Sequence, residues 1–318
     1  MVKKGAFCIS LDFEKFWGIH DVSTLASTEL NLIKVQTIVH RLLQLFNKYD
    51  IHCTWAVVGL LNFNSLDELE DYSKLLTIKY THDQFTPFPI RKYNLKNVNA
   101  SIFLAKQEIE TIANTPNQEI ASHTFSHLYS LENGVTEQDF QNDIKHFENI
   151  VGKFNSIIFP RNQINSNYLK YLAKSRRISY RGNQQNKFWE NSKFKTEGLF
   201  KKIGRVLDAY IKISKDNLIE WNNLQTSNLI NIPASRFLRP YRFNESIENL
   251  KINRIKKQML TAAQQNKIYH LWWHPHNFCV NTEENFIQLE SLLKYYSQLN
   301  KEFQYQSLNM NEISNSIA

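Results

Sequence analysis

Glycine and proline are scarce in this chain, eight and seven among 318 residues. So small a share excludes collagen-like, linker-rich and many-turned all-β architectures. No glycine-rich phosphate loop is present, since neither GxGxxG nor GxxxxGK occurs. Cysteine is limited to Cys8, Cys53 and Cys279, with no CxxC. That argues against a disulfide framework and a thiolate zinc site; Cys8 and Cys53 sit in apolar runs and read as core. No stretch of 18 apolar residues suggests a membrane span. The start, Met1-Val2-Lys3-Lys4-Gly5, leads directly into a strand carrying charge by Asp12, without the apolar segment of a signal peptide. A cytoplasmic location is the expectation. The 38 Lys and Arg exceed the 30 Asp and Glu, for a net charge of +8. These cations are scattered rather than gathered in a stripe, so no nucleic-acid partner is expected.

What is there suits a large globular domain. Hydrophobic residues make up 42% and aromatics 13%, which excludes wholesale disorder. Short apolar runs alternate with longer helical patterns. Strands are expected at Ala6–Leu11, His52–Val58, Glu119–Ser122, Ser156–Phe159, Ile178–Tyr180, Leu229–Ile232 and Lys267–Trp273. Between the first two, Leu32, Val35, Val39, Leu42 and Phe46 follow the spacing of one helical face, predicting a helix near 28–49. Further helices are expected at 97–114, 136–150, 165–176, 245–266 and 282–299, with Thr136 and Asp139 as a capping pair. Strand–helix alternation points to a parallel α/β sheet. One domain over 1–318 is expected, with insertions at about 77–96 and 183–228.

Four polar clusters lie at the C-terminal ends of expected strands, where catalytic groups of α/β barrels collect. In Asp12-Phe13-Glu14 the carboxylates point to one side of an extended strand. One can bind a metal while the other accepts a proton. His123 and His127, four apart, would share one face of a helical turn and can grip one ion. His270 and His274 have the same spacing inside a strand, where they would lie roughly 13 Å apart and could not share an ion. Arg161 follows a buried strand and can hold a carboxylate ionised. In Trp272-Trp273-His274-Pro275-His276, indoles border an imidazole suited to acid catalysis.

Taken in order, these clusters resemble the polysaccharide deacetylases, the family sharing the NodB homology domain (carbohydrate esterase family 4). Asp12-Phe13-Glu14 is similar to its acidic motif, and Cys53-Thr54-Trp55-Ala56-Val57-Val58-Gly59 to its second strand. Glu119 to His127 resembles its histidine motif, Pro160-Arg161 its arginine motif, and Leu271 to His274 its late histidine motif. Many members carry two adjacent aspartates where this chain has Asp12-Phe13-Glu14. An aspartate motif before the last strand is not evident, and Arg181-Gly182-Asn183 with Trp189 stands in its place.

The resemblance implies a distorted (β/α)7 barrel and metal-dependent hydrolysis of an acetamido group on a sugar. Glu14, His123 and His127 would hold a divalent ion, zinc by default, with cobalt, nickel, iron or manganese as competitors. Asp12, kept ionised by Arg161, would be the base, and His274 the acid. Asn162, Trp189 and Trp273 would touch substrate. Nucleotide-linked and lipid-linked intermediates of surface-polysaccharide synthesis fit a cytoplasmic enzyme, which could work at the inner face of the membrane. Loss of a formyl group, opening of a cyclic amide and non-catalytic carbohydrate binding are the alternatives. In the second insertion, Leu199, Ile203, Val206 and Tyr210 form an apolar stripe beside Lys201, Lys202 and Arg205. Such a helix either packs its stripe on the barrel, the expected arrangement, or lies on an anionic membrane.

Overall fold

The computed structural model describes residues 3–86, 98–193, 198–224 and 227–317. Nine strands occur among them: β1 (Ala6–Phe13), β2 (Cys53–Val57), β3 (Gln118–Ser122), β4 (Ser156–Ile157), β5 (Ile178–Tyr180), β6 (Leu229–Asn231), β7 (Arg236–Phe237), β8 (Ile268–Trp273) and β9 (Gln306–Ser307). Helices α1 (Leu25–Leu32), α2 (Val35–Lys48), α3 (Leu66–Ser73), α4 (Lys106–Ala113), α5 (Glu137–Ile150) and α6 (Ser166–Ser175) fall between the early strands. α7 (Leu199–Tyr210), α8 (Glu245–Gln264), α9 (Thr282–Phe303) and α10 (Met310–Ser316) follow. The strands run parallel in the order β6-β5-β4-β3-β2-β1-β8-β7, with β9 beside the start of β1. No pairing joins β6 to β7 among the described residues, so the sheet is a curled barrel open on one side.

All seven expected strands form. β7 and β9 are additions of two residues each, too short to show a period. The predicted 28–49 helix is two helices, because the chain turns at Ile33–Lys34; Leu32 and Val35 stay buried on either side. α4 begins at Lys106 rather than 97. Lys15 Nζ donates to the carbonyls of Ser101 and Leu104 and to Glu108, taking carbonyls that a longer helix would bond internally. The part of the first expected insertion at 87–96 lies outside the described residues. Thr136 and Asp139 form the expected capping box on α5.

Two cores lie on opposite faces of the sheet. Along β1, Phe7, Ile9, Leu11 and Phe13 pack outward under the helices. Ala6 and Cys8 point into the barrel beside Ala56, Ala121, Ile230 and Ile232. Met310 and Ile313 of α10 belong to the same inner core. The alternation of strand side chains then sends Ser10 and Asp12 inward as well, toward the C-terminal ends of the strands.

Candidate active site

Parallel register aligns the site. Phe13 pairs with Val57, Val57 with Ser122, Ser122 with Ile157, and Ile157 with Tyr180. The next residues along these strands include Glu14, His123 and Arg181, which therefore emerge side by side. Leu11 pairs with Trp273, so His274 emerges beside Asp12. Asp12, Glu14, His123 and His127 are all buried.

His123 and His127 meet through a loop, not a helical turn. Thr124 and His127 have positive φ, 61° and 56°. Asp143, reaching in from α5, accepts the amides of Phe125 (2.7 Å) and Ser126 (3.0 Å) and the Ser126 hydroxyl (2.5 Å). Thr124 Oγ1 accepts the Leu128 amide. The folded loop brings both imidazole Nε2 atoms to Glu14 Oε2, at 3.1 and 3.0 Å. Gly18 makes room for that carboxylate, since a Cβ there would fall 2.0 Å from the Glu14 carboxyl carbon.

The donor set suits a cation. His123 Nδ1 donates to the Ile158 carbonyl at 2.8 Å, which fixes the ring with Nε2 toward Glu14. Burial lowers the His127 pKa to about 4, leaving that ring neutral near pH 7. Glu14 lies well below the usual carboxylate range: burial pushes it up, but His274 and hydrogen bonds from His123 and His127 outweigh burial. Two buried imidazole nitrogens converging on one carboxylate oxygen are the N and O ligand types that a divalent ion takes. Glu14, His274 and His276 make a second convergent group, sharing Glu14 with the first.

Arg181, not Arg161, holds Asp12. Its guanidinium meets the carboxylate through two parallel bonds, Nη1–Oδ1 at 2.7 Å and Nη2–Oδ2 at 2.8 Å. Nη1 also donates to Ser10, and Nη2 to Asn162 Oδ1. Burial raises the Asp12 pKa, yet Arg181 and neighbouring histidines outweigh it and hold the acid below its ordinary value. Arg161 stands in a tight turn with φ 53°, which directs it to Asp21 and over the Tyr129 ring at 5.2 Å. It still lines the cleft. The overlooked signal was alternation in Ile178-Ser179-Tyr180-Arg181: Ile178 packs outward, while Ser179 and Arg181 face in toward Ser156 and Asp12.

Alternation also corrects Trp273. It is fully buried on the outer face against Phe46 and Phe278. Trp272 faces the cleft and carries the Arg181 guanidinium 4.0 Å from its ring centroid. Phe237 and Trp189 pack on Trp272, with centroids 4.6 and 5.6 Å away. Trp189 lines an adjoining recess, while Asn162 lines both recess and cleft.

His274 Nε2 lies 3.7 Å from Asp12 and 3.4 Å from Glu14. The Asn277 side-chain amide lies 3.3 Å from His274 Nδ1, so Nε2 is the nitrogen that faces the carboxylates. His276 packs on His274 at 5.1 Å, and burial lowers its pKa to about 4. His270 stays within β8, bonded to Ser10 and the Ile232 carbonyl. As its strand spacing implied, it does not join the metal-capable groups found among the described residues.

The fold is an open parallel α/β barrel with these groups gathered at the C-terminal ends of its strands. A family model described as polysaccharide deacetylase matches residues 8–177, just over half of the chain, and the chain belongs to that family. Asp12, Glu14, His123 and His127 fall inside the matched span; Arg181 and His274 fall beyond it. Solved structures that share the fold include the following three. One, from Mycobacterium smegmatis, is assigned to the polysaccharide deacetylases and is 12% identical, with TM-score 0.61 over 100% of this chain and 91% of that one. Another so assigned, from Pseudomonas aeruginosa PAO1, is 12% identical, with TM-score 0.54 over 98% and 89%. Puue allantoinase is 11% identical, with TM-score 0.53 over 98% and 89%. No curated protein matches the chain. Among the described residues, no helix is long and apolar enough to cross a membrane.

Proposed function

We propose that the chain is a metal-dependent hydrolase that removes an N-acetyl group from a sugar, an intermediate of surface-polysaccharide synthesis. The observation that carries this reading is the convergence of Glu14, His123 and His127 beside the Arg181–Asp12 pair and His274. A divalent ion held by Glu14, His123 and His127, zinc by preference, would supply carbonyl polarisation and a more acidic water.

The protein's own groups divide the proton transfers. Asp12, ionised and fixed by Arg181, accepts a proton from the water that attacks the acyl carbon. His274, acting as an imidazolium, donates its Nε2 proton to the nitrogen as the C–N bond breaks and is left neutral. Amide and water become amine and acetate. The two roles fall to different groups: Asp12 is held anionic by a guanidinium, whereas His274 turns Nε2 toward the carboxylates with Asn277 beside Nδ1. Phe237, half-buried on the cleft wall beside Trp272, offers an aromatic surface against which the apolar side of a sugar ring packs. Trp189 and Asn162 extend that surface into the adjoining recess.

The test is acetate release from acetamido sugars supplied free, nucleotide-linked and lipid-linked, with metal content measured on the same sample. Acetate release that chelation abolishes and zinc restores is the expected result. Formate from a formamido sugar, or ring opening of a cyclic amide, would reassign the acyl group. Binding of acylated sugar without turnover in the metal-loaded protein would make the chain a carbohydrate binder.

A further inference from the structure

α7 is packed the opposite way round from the sequence expectation. It meets the barrel through small and polar residues. Asp208 is buried in ion pairs with Arg236 (3.4 Å) and Arg254 (3.1 Å). Gly204 lies under Phe188, where a Cβ would fall 2.4 Å from the ring. The apolar stripe faces outward instead. Leu199, Phe200, Ile203, Val206 and Leu207, continued by Ile211 and Ile213, are between 36% and 77% exposed. These are seven of the sixteen exposed large hydrophobics among the described residues, so the apolar surface is concentrated in one segment. Scattered exposed apolar residues need no explanation, but a contiguous strip marks a surface that something covers.

Charge identifies what covers it. Residues 199–215 carry Lys201, Lys202, Lys212 and Lys215, with Arg205 turned over the Trp189 ring, against Asp208 alone, and Asp208 is consumed in its buried pairs. Lys201 lies 3.8 Å from Glu190 and Lys212 3.0 Å from Asp216; both contacts are open to solvent and weak. A second copy of the chain would bring this positive strip against itself. An anionic surface accepts both the apolar stripe and the cations. The position is also informative, because Arg205 of α7 lines the same cleft as Asp12, Glu14 and His274. Val22, on that cleft's wall, is itself exposed.

We propose that the outward face of α7, with Ile211 and Ile213, seats the protein on an anionic membrane surface. The cleft is thereby held beside the lipid headgroups. This deepens the deacetylase reading by favouring lipid-linked over soluble substrate, yet the docking itself can be measured without substrate. The full chain is co-sedimented with phosphatidylcholine vesicles with and without phosphatidylglycerol. Binding is expected only with the anionic lipid, and it weakens as salt is added. Phe200→Ser with Ile203→Ser is expected to lower partitioning by tenfold or more. Lys202→Glu lowers it by about fivefold for each unit of charge. Acetate release from a soluble acetamido sugar is expected to stay unchanged in these variants. Absence of wild-type binding, or equal binding by all variants, overturns the proposal. A wild-type dimer that both apolar substitutions disperse, with no vesicle binding, assigns the strip to a second copy and overturns it equally. Vesicle binding by a chain inactive on every sugar would instead remove the deacetylase reading and leave the docking surface standing.

Discussion

Replacing Arg181 with methionine tests which arginine governs Asp12. The Arg181–Asp12 pair is bidentate and out of solvent, with side chains 0% and 4% exposed. Removing one partner of such a pair leaves an uncompensated charge and costs about 3–5 kcal/mol. That is a large share of the stability of a typical domain, so a thermal midpoint is measured first, and Arg181→Lys, which keeps the charge without the fork, serves as the milder variant. The functional effect has a definite sign. In the native protein, burial pushes the Asp12 pKa up and Arg181 outweighs it, so the folded value lies below the ordinary 3.8. A carboxyl depressed in this way contributes stability above its unfolded pKa and loses it as pH falls through the folded value. Without Arg181 the largest opposing influence is gone. Asp12 then protonates at higher pH, and the acidic limb of kcat/KM for acetate release moves upward. Where the base is protonated, the rate falls by about 10²–10⁴. Bound metal stays constant, because Arg181 hydrogen-bonds Ser10, Asp12 and Asn162, not the proposed ligands. Arg161→Met removes the partner of Asp21 and leaves the limb where it was. A shifted limb in Arg161→Met and an unmoved one in Arg181→Met would refute this reasoning.

His123→Ala and His127→Ala should each lose bound metal, read by elemental analysis, while Asp12→Asn keeps it; full occupancy in either histidine variant counts against the ligand set. Asp12→Asn and His274→Ala should each lower turnover by about 10²–10⁴. Only the histidine variant should spare an ester analogue relative to the amide, because the ester's oxygen leaves more readily without a proton. If His276→Ala shows that selectivity instead, the donor is the second histidine. Asp143→Ala strips three hydrogen bonds from the histidine loop and should cost about 3 kcal/mol, seen as a lower thermal midpoint. Burial raises the Asp143 pKa from 3.8 to about 6. Its folded form therefore binds the proton more tightly, and native stability from this group falls as pH rises across that window. Asp143→Asn should flatten that slope; an unchanged slope would show that another group causes it.

Periodicity within single elements was legible without the fold. Alternation along β1 placed Asp12 and Glu14 on one side, the strand–helix rhythm implied a parallel barrel, and the spacing of His123 and His127 marked a metal-capable pair. The same alternation could separate Trp272 from Trp273, but only the curled sheet decides which face is inward. For Arg161 and Arg181 the decision lay in cross-strand register. Four pairings from Phe13 to Tyr180 bring Arg181 to Asp12, while one positive φ turns Arg161 toward Asp21. The histidine loop depends on Asp143, sixteen residues beyond His127 in the sequence, which no local pattern singles out. α7 shows the same division. Its amphipathicity is written in the sequence, yet the buried pairing of Asp208 with Arg236 and Arg254 turns the apolar stripe outward. Periodicity depends on neighbours along the chain, whereas partners and facing depend on contacts that exist only after distant strands and helices have packed.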